Sequence, residues 1–230
     1  MEIVNTPSPN FDDRALPITM VVLHYTGMKT GAAAIERLTD RDARVSSHYL
    51  VNEDGVVLRL VEERKRAWHA GAAWWRGIRD VNSASIGIEI VNPGHEFGYR
   101  PFPAGQIVSV VQLTNEIVKR HDIEPINVVG HSDVAPGRKQ DPGELFPWDK
   151  LAKLGLAVPR PESAHVDPGW SDSAFLLALE RFGYDISDKE AAVEAFQRRW
   201  RPETVDGTID GQSRAILLQL LLAYGEGRTR

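Results

Sequence analysis

The chain has 230 residues, of which 42% are hydrophobic and 26% are charged, as in ordinary soluble globular proteins. This composition excludes disordered and fibrous classes, and the length suits one large domain or two modest ones. The net charge of -5, with lysine and arginine scattered along the chain, excludes the basic patch of a nucleic-acid-binding protein. The absence of cysteine excludes disulfides, thiolate metal ligands and a cysteine nucleophile.

The apolar runs of the chain are short, and the longest candidates are residues 18–23 and 216–223. A membrane-spanning helix requires ~18 such residues, so we expect no transmembrane segment. Residues 1–5 lack the basic start and apolar core of a secretory signal, which favours a cytoplasmic protein.

Before residue 150, short β-rich runs alternate with helical patterns. The strands are predicted at residues 18–25, 48–51, 56–60, 85–91 and 127–130, and the helices at residues 31–38 and 105–121. Asp54 and Gly55 supply the positive-φ positions of a tight turn, so residues 48–60 are predicted to form a hairpin. The mixture predicts an α/β or α+β layer with a central sheet.

Residues 151–168 contain three prolines among small and polar residues, which predicts a linker. The chain then becomes helical, with segments predicted at residues 171–182, 188–200 and 212–224. Ser187 followed by Glu190 is typical of a capping box at the start of the second segment. We therefore predict a small three-helix bundle after the linker.

Two histidines end short apolar strands, His24 after residues 21–23 and His131 after residues 128–130. On spacing alone, each is more simply explained as a hydrogen-bonded residue at the end of a strand. Asp141, however, lies in a loop rich in proline and glycine that can return a carboxylate beside His131. Two histidines and one carboxylate are the donor set of a catalytic zinc site, which leaves a fourth position for water.

Lys139 and Glu89 are candidates for catalysis beside such a site. If residues 139–141 are extended, Lys139 points to the same side as Asp141, where an ammonium could stabilise an oxyanion. Spacing alone still favours a simple surface charge for Lys139. In the strand at residues 85–91 the isoleucines share one face, which leaves Glu89 on the other face. Glu89 is then either a general base or a solvent-facing glutamate on a half-exposed sheet.

Aromatic and imidazole groups are concentrated at residues 66–71, in a predicted loop that contains Trp68 and His69. Aromatic loops suit sugar and peptide recognition, although Trp68 could equally anchor the loop in the core. The remaining histidines have no ligand-like setting, and we expect structural or surface roles for His48, His95, His121 and His165.

Five ordered segments together resemble the type 2 N-acetylmuramoyl-L-alanine amidase family, which is related to T7-type lysozyme and to peptidoglycan recognition proteins. The match is closest to the bacterial anhydro-muropeptide branch. The segments are VLHYT at 22–26, VSSHYLV at 45–51, RAWHAG at 66–71, SIGIE at 85–89 and GHSDVAPGRKQDPG at 130–143. The resemblance implies an α/β fold with a mixed central β-sheet flanked by helices.

The same resemblance implies a role for each candidate residue. His24, His131 and Asp141 would bind one Zn2+ per chain, and Glu89 and Lys139 would assist catalysis. Trp68 and His69 match a segment that lines the substrate groove in the family. The reaction implied is hydrolysis of the amide between the muramic or anhydromuramic acid lactyl group and L-alanine. Peptidoglycan or muropeptide is thus the expected partner, and we expect a monomer.

The C-terminal part resembles the three-helix peptidoglycan-binding module in residues 179–184, 192–199 and 205–210. It lacks the glycine-rich stretch usual between the first two helices. We therefore divide the chain into a catalytic domain at 1–158 and a peptidoglycan-binding-like domain at 165–230. A wall-binding module suits the periplasm, which is the alternative to the cytoplasm.

Two other functions are compatible with these residues. Relatives that recognise peptidoglycan without cutting it have lost a zinc ligand, whereas all three ligand positions are filled here. A glycosidase would pair Glu89 with a second carboxylate such as Asp133 and would need no metal.

Overall fold

The computed structural model describes residues 3–161 and 166–225. Its strands are β1 (Ile3–Asn5), β2 (Phe11–Asp13), β3 (Met20–Tyr25), β4 (Tyr49–Val51), β5 (Val57–Arg59), β6 (Lys65–Ala67), β7 (Ser85–Ile90) and β8 (Val128–Gly130). Six of them form a sheet in the order β1-β5-β4-β7-β3-β8, and β2 pairs with β6 separately. The β4–β5 pair is antiparallel and the other pairs of the large sheet are parallel, which confirms the predicted mixed sheet.

Helices flank this sheet, also as predicted. They are α1 (Gly31–Thr39), α2 (Val81–Ala84), α3 (Gly94–Phe97), α4 (Ala104–His121), α5 (His131–Val134), α6 (Trp148–Ala152), α7 (Asp172–Phe182), α8 (Lys189–Trp200) and α9 (Gly211–Tyr224), with a 3-10 turn at Pro125–Asn127. The predicted capping box at α8 is wrong. The N-cap is Asp188, whose side chain accepts a hydrogen bond from the backbone N–H of Ala191, so the cap lies one residue after Ser187.

The predicted hairpin is present, but of the two predicted positive-φ positions in its turn only Gly55 is found, and Asp54 is not one. Strands β4 and β5 pair antiparallel, and the Asn52 backbone N–H donates to the Val56 carbonyl at 2.9 Å. Gly55 has a φ of 86°, which only glycine adopts freely. The predicted strands at residues 18–25 and 85–91 correspond to β3 and β7.

The two faces of the sheet carry different layers because side chains alternate along each strand. Val21 and Leu23 of β3 pack with helix α4 on one face. Met20 and Val22 of the same strand lie in a second cluster, which also contains Phe196 of the C-terminal helices. The strand ends therefore lie between the two layers.

The three C-terminal helices share an apolar core with the sheet. Phe175, Phe182 and Phe196 are fully buried and belong to the same cluster as Met20. The predicted bundle is thus packed against the remainder of the chain. The predicted boundary near residue 165, including His165, lies outside the described residues. Among the described helices, none combines the length and apolarity needed to cross a membrane.

Candidate metal centre and catalytic groove

Three parallel strands bring the candidate residues to one edge of the sheet. In the β3–β7 pair His24 lies opposite Glu89, and in the β3–β8 pair Leu23 lies opposite Gly130. His131 follows Gly130 and begins helix α5. The carboxyl ends of these neighbouring parallel strands therefore place His24, Glu89 and His131 together.

The loop after α5 returns Asp141 to the same edge. The Ser132 backbone N–H donates to the Asp141 carbonyl at 2.8 Å, which ties the loop to the start of the helix. A Cβ on Gly130 would lie 2.7 Å from Cδ of Pro142. Glycine at residue 130 is therefore needed for the close approach of the Asp141 loop.

His24, His131 and Asp141 converge into a compact triangle. Nδ1 of His24 lies 2.9 Å from Nδ1 of His131 and 3.0 Å from Oδ2 of Asp141, and Nδ1 of His131 lies 3.0 Å from the same oxygen. All three side chains are buried. These donor atoms are near enough to one another to share a single metal ion.

The electrostatics favour the protonation states that metal ligands need. Burial, followed by the neighbouring His131, lowers the pKa of His24 to about 4, so its imidazole is neutral at pH 7. Burial opposes ionisation of Asp141, but its contacts with His131 and His24 hold the pKa of this carboxyl well below its usual range. The site therefore presents a neutral imidazole and a carboxylate.

The far nitrogens of both histidines contact consecutive residues of one loop. Nε2 of His131 lies 3.0 Å from the Ala70 carbonyl, and Nε2 of His24 lies 3.1 Å from Nδ1 of His69. His69, a predicted substrate-binding residue, is 6% exposed, and its ring packs against His24 in the wall of the groove that contains the triangle. Such contacts orient imidazole ligands and set which nitrogen faces the metal.

Glu89 and Lys139 line the same groove as the triangle. The groove has a volume of about 440 Å³. Oε2 of Glu89 is buried and has no hydrogen-bond partner among the described residues. Burial and the nearby Asp141 carboxylate raise the pKa of Glu89 well above its usual value, against a smaller opposing effect of Lys139. The groove thus places a carboxyl group and an ammonium beside the three donor atoms.

Trp68 and Asp133 are not among the described residues that line the groove. The Trp68 backbone N–H donates to Oγ of Ser46 at 2.9 Å. Asp133 is 2% exposed, accepts a hydrogen bond from the Tyr184 hydroxyl at 2.7 Å and lies 3.5 Å from the Arg199 guanidinium. A glycosidase pair of Glu89 and Asp133 is disfavoured because Asp133 points away from the groove.

The groove also contains residues that the sequence did not single out. The side chain of His95, expected to be structural or superficial, lines the groove, with Nδ1 2.9 Å from the Tyr25 hydroxyl and Nε2 3.1 Å from Glu144. Arg138 donates to the Ala70 and Ala72 carbonyls and so clamps the loop behind the triangle. The neighbouring prolines and glycines, at residues 93–94 and 136–137, are a signal for loops that shape a groove.

A family model described as N-acetylmuramoyl-L-alanine amidase matches residues 14–144. The chain belongs to this amidase family. It is therefore an enzyme, a hydrolase. The family match ends before the C-terminal helices, so the peptidoglycan-binding role of those helices stays a prediction.

Individual relatives resemble the amidase over most of its length. It is 37% identical to the N-acetylmuramoyl-L-alanine amidase AmiD of Escherichia coli (strain K12), over 91% of this chain and 84% of that protein. It is 32% identical to the 1,6-anhydro-N-acetylmuramyl-L-alanine amidase AmpD of Haemophilus influenzae, over 62% of this chain and 86% of that protein.

One solved structure similar to the amidase contains a bound substrate. It is the complex of AmiD from E. coli with anhydro-N-acetylmuramic acid-L-Ala-D-gamma-Glu-L-Lys. The TM-score is 0.82 and the sequence identity is 34%, with 94% of each chain covered. The likeness therefore extends through the C-terminal helices.

Proposed function

We propose that the amidase is zinc-dependent and hydrolyses the amide between the lactyl group of muramic or anhydromuramic acid and L-alanine of peptidoglycan stem peptides. The observation that carries the proposal is the buried triangle of His24, His131 and Asp141 in the chain of an amidase family member. The reaction adds water across the amide, so that the lactyl carboxylate and the alanine amine are the products.

The donor set fits zinc. Two imidazole nitrogens and one carboxylate oxygen converge, and no cysteine exists in the sequence to complete a closed structural site. Three protein ligands are typical of catalytic zinc, whereas structural zinc is bound by four. Zinc held by His24, His131 and Asp141 would activate water and polarise the carbonyl of the scissile amide.

Glu89 would move the proton. Its buried carboxyl oxygen, which has no hydrogen-bond partner in the described part of the chain, and its raised pKa suit a group that exchanges a proton with the attacking water. The same carboxyl would then deliver that proton to the alanine nitrogen as the carbon–nitrogen bond breaks. Lys139, which lines the same groove, would neutralise the negative charge that develops on the carbonyl oxygen.

The substrate assignment is supported by the relatives. The AmiD structure contains an anhydromuramic acid peptide, and the fold and length of that chain match this amidase. We therefore assign muropeptides with an anhydromuramic or muramic end as the substrate class. A recognition module that does not cut is disfavoured, because all three donor side chains are present and face one another.

The proposal is tested by mass spectrometry of a defined anhydromuramyl tripeptide incubated with the zinc-loaded and the chelated amidase. We expect the zinc-loaded protein to release the free tripeptide and the intact sugar acid, and the chelated protein to release neither. Glu89→Gln, which keeps the metal donors, serves as the matched control for the chemistry. Cleavage of a glycosidic bond, or equal cleavage after chelation, would refute the proposal.

A further inference from the structure

Behind the candidate metal centre, a chain of polar contacts leads from His24 into the sheet. Nε2 of His24 lies 3.1 Å from Nδ1 of His69. Nε2 of His69 lies 3.3 Å from Oγ of Ser85, and the Ser85 hydroxyl donates to the Val81 carbonyl at 2.5 Å. The side chains of His24, His69 and Ser85 are all buried.

The donor and the acceptor of each hydrogen bond in this series can be assigned. The single proton of the Ser85 hydroxyl goes to the Val81 carbonyl, so Oγ accepts a hydrogen bond from Nε2–H of His69. Nδ1 of the neutral His69 ring is then an acceptor, and it takes the proton of Nε2–H of His24. This assignment of tautomers from the network leaves the Nδ1 lone pair of His24 facing His131 and Asp141.

Packing fixes the His69 ring in this place. The backbone N–H groups of His69 and Ala70 both donate to Oδ1 of Asn82, at 3.0 and 2.8 Å. A Cβ on Gly87 would lie 2.5 Å from Cγ of His69, so the strand β7 must have glycine where the ring packs against it. The ring therefore has little freedom to turn away from His24.

We propose that His69 is a positioning residue that holds His24 in the tautomer and orientation in which Nδ1 binds the metal. The proposal rests on the metal site of the proposed function. His131 needs no such residue, because its Nε2 contacts the Ala70 carbonyl, which is an acceptor in every state. The loop thus supplies two neighbouring acceptors, Nδ1 of His69 and the Ala70 carbonyl, one for each metal-binding histidine.

The test compares His69→Asn with His69→Leu. The two side chains have nearly the same shape, but only asparagine presents an acceptor near the place of Nδ1. Zinc affinity is measured by competition with a chromophoric chelator, and KM for the anhydromuramyl tripeptide is measured in excess zinc. Loss of a contact to a metal-binding histidine typically weakens metal binding 10- to 100-fold.

We expect His69→Leu to weaken zinc binding by about 10- to 100-fold, and His69→Asn to retain most of the affinity, with KM changed little in either. Equal zinc affinity in wild type and His69→Leu, or a raised KM as the main effect, would overturn the proposal. Failure of the wild type to bind zinc would instead refute the proposed function.

A second measurement does not depend on a variant that folds. Long-range proton–nitrogen NMR correlations of the zinc-free wild type report which nitrogen of each neutral histidine carries the proton. We expect the Nε2–H tautomer for both His24 and His69. The Nδ1–H tautomer at either residue would contradict the network, and with it the proposal.

Discussion

The buried hydroxyl of Tyr184 offers a sharp test of how the C-terminal helices support the centre. It donates to Oδ1 of Asp133 at 2.7 Å and accepts a hydrogen bond from Nε1–H of Trp200 at 3.1 Å. Asp133 also accepts from the Gly130 backbone N–H at 2.7 Å, directly before His131. The hydroxyl of Tyr184 thus anchors the segment that carries one of the three metal donors.

Tyr184→Phe removes this hydroxyl without changing the ring. A hydrogen bond to a charged group contributes about 1.5–3 kcal/mol, and the buried Trp200 N–H left unpaired adds a similar cost. Because the two contributions share one site and are not additive, we expect the free energy of unfolding to fall by about 3 kcal/mol. For a chain of this length that corresponds to a decrease in Tm of roughly 6–12 °C.

Urea unfolding followed by circular dichroism measures this change. The matched control is Tyr224→Phe, which removes the hydroxyl of a half-buried tyrosine at the end of α9. We expect the control to change stability by less than about 0.5 kcal/mol. A loss for Tyr184→Phe no larger than that of the control would show that the hydrogen-bonded anchor is not a stabilising contact.

Three further predictions concern the groove and its support. Lys139→Ala should lower turnover about 10²- to 10³-fold with zinc content unchanged, and normal turnover of purified protein would exclude the oxyanion role. Glu89→Gln should lower turnover about 10²- to 10⁴-fold at unchanged zinc content, and near wild-type rates would assign the proton transfer elsewhere. Burial, followed by Arg14, lowers the pKa of His48 to about 3, below the 6.5 of the unfolded chain. The unfolded state then binds more protons between these values, so stability is complete above pH 6.5 and falls as the pH falls toward 3. Urea unfolding of the zinc-free protein from pH 7 to pH 5 should show a slope that His48→Asn reduces by up to ~1.4 kcal/mol per pH unit, and an unchanged slope would contradict the buried neutral imidazole.

The strands that carry the centre are predictable because their apolar runs are buried on both faces. β3, β7 and β8 lie beneath helices; His24 and Glu89 are the penultimate residues of β3 and β7, and β8 ends directly before His131. The alternation in β7 also predicts the face of Glu89, since its isoleucines pack with α4 on the opposite face. Strand periodicity therefore places His24, Glu89 and His131 at or near strand ends, whereas the strand order β7-β3-β8 that brings them together is seen only in the fold.

The short strand β2 (Phe11–Asp13) is not predictable in this way. All three of its residues are exposed, so no apolar pattern marks it, and its pairing with β6 depends on residues more than fifty positions away. The return of Asp141 likewise depends on a contact between Gly130 and Pro142 that no local pattern encodes.

The separate roles of His69 and Asp133 also require the folded chain. Both lie in segments that resemble the family, but the segments do not show which way each side chain points. His69 packs against His24 because Gly87 leaves space for its ring and Asn82 holds its backbone. Asp133 points toward Tyr184, which is 51 residues further along the chain. Contacts between residues far apart in the sequence set both orientations.

The central claim is that His24, His131 and Asp141 together bind one zinc ion. Calorimetric titration of zinc into the metal-free protein, combined with native mass spectrometry, tests it directly. We expect one zinc per chain in the wild type and no bound zinc under the same conditions in His131→Ala and in Asp141→Ala. A wild type that takes up no zinc, or alanine variants that bind it as tightly, would contradict the account.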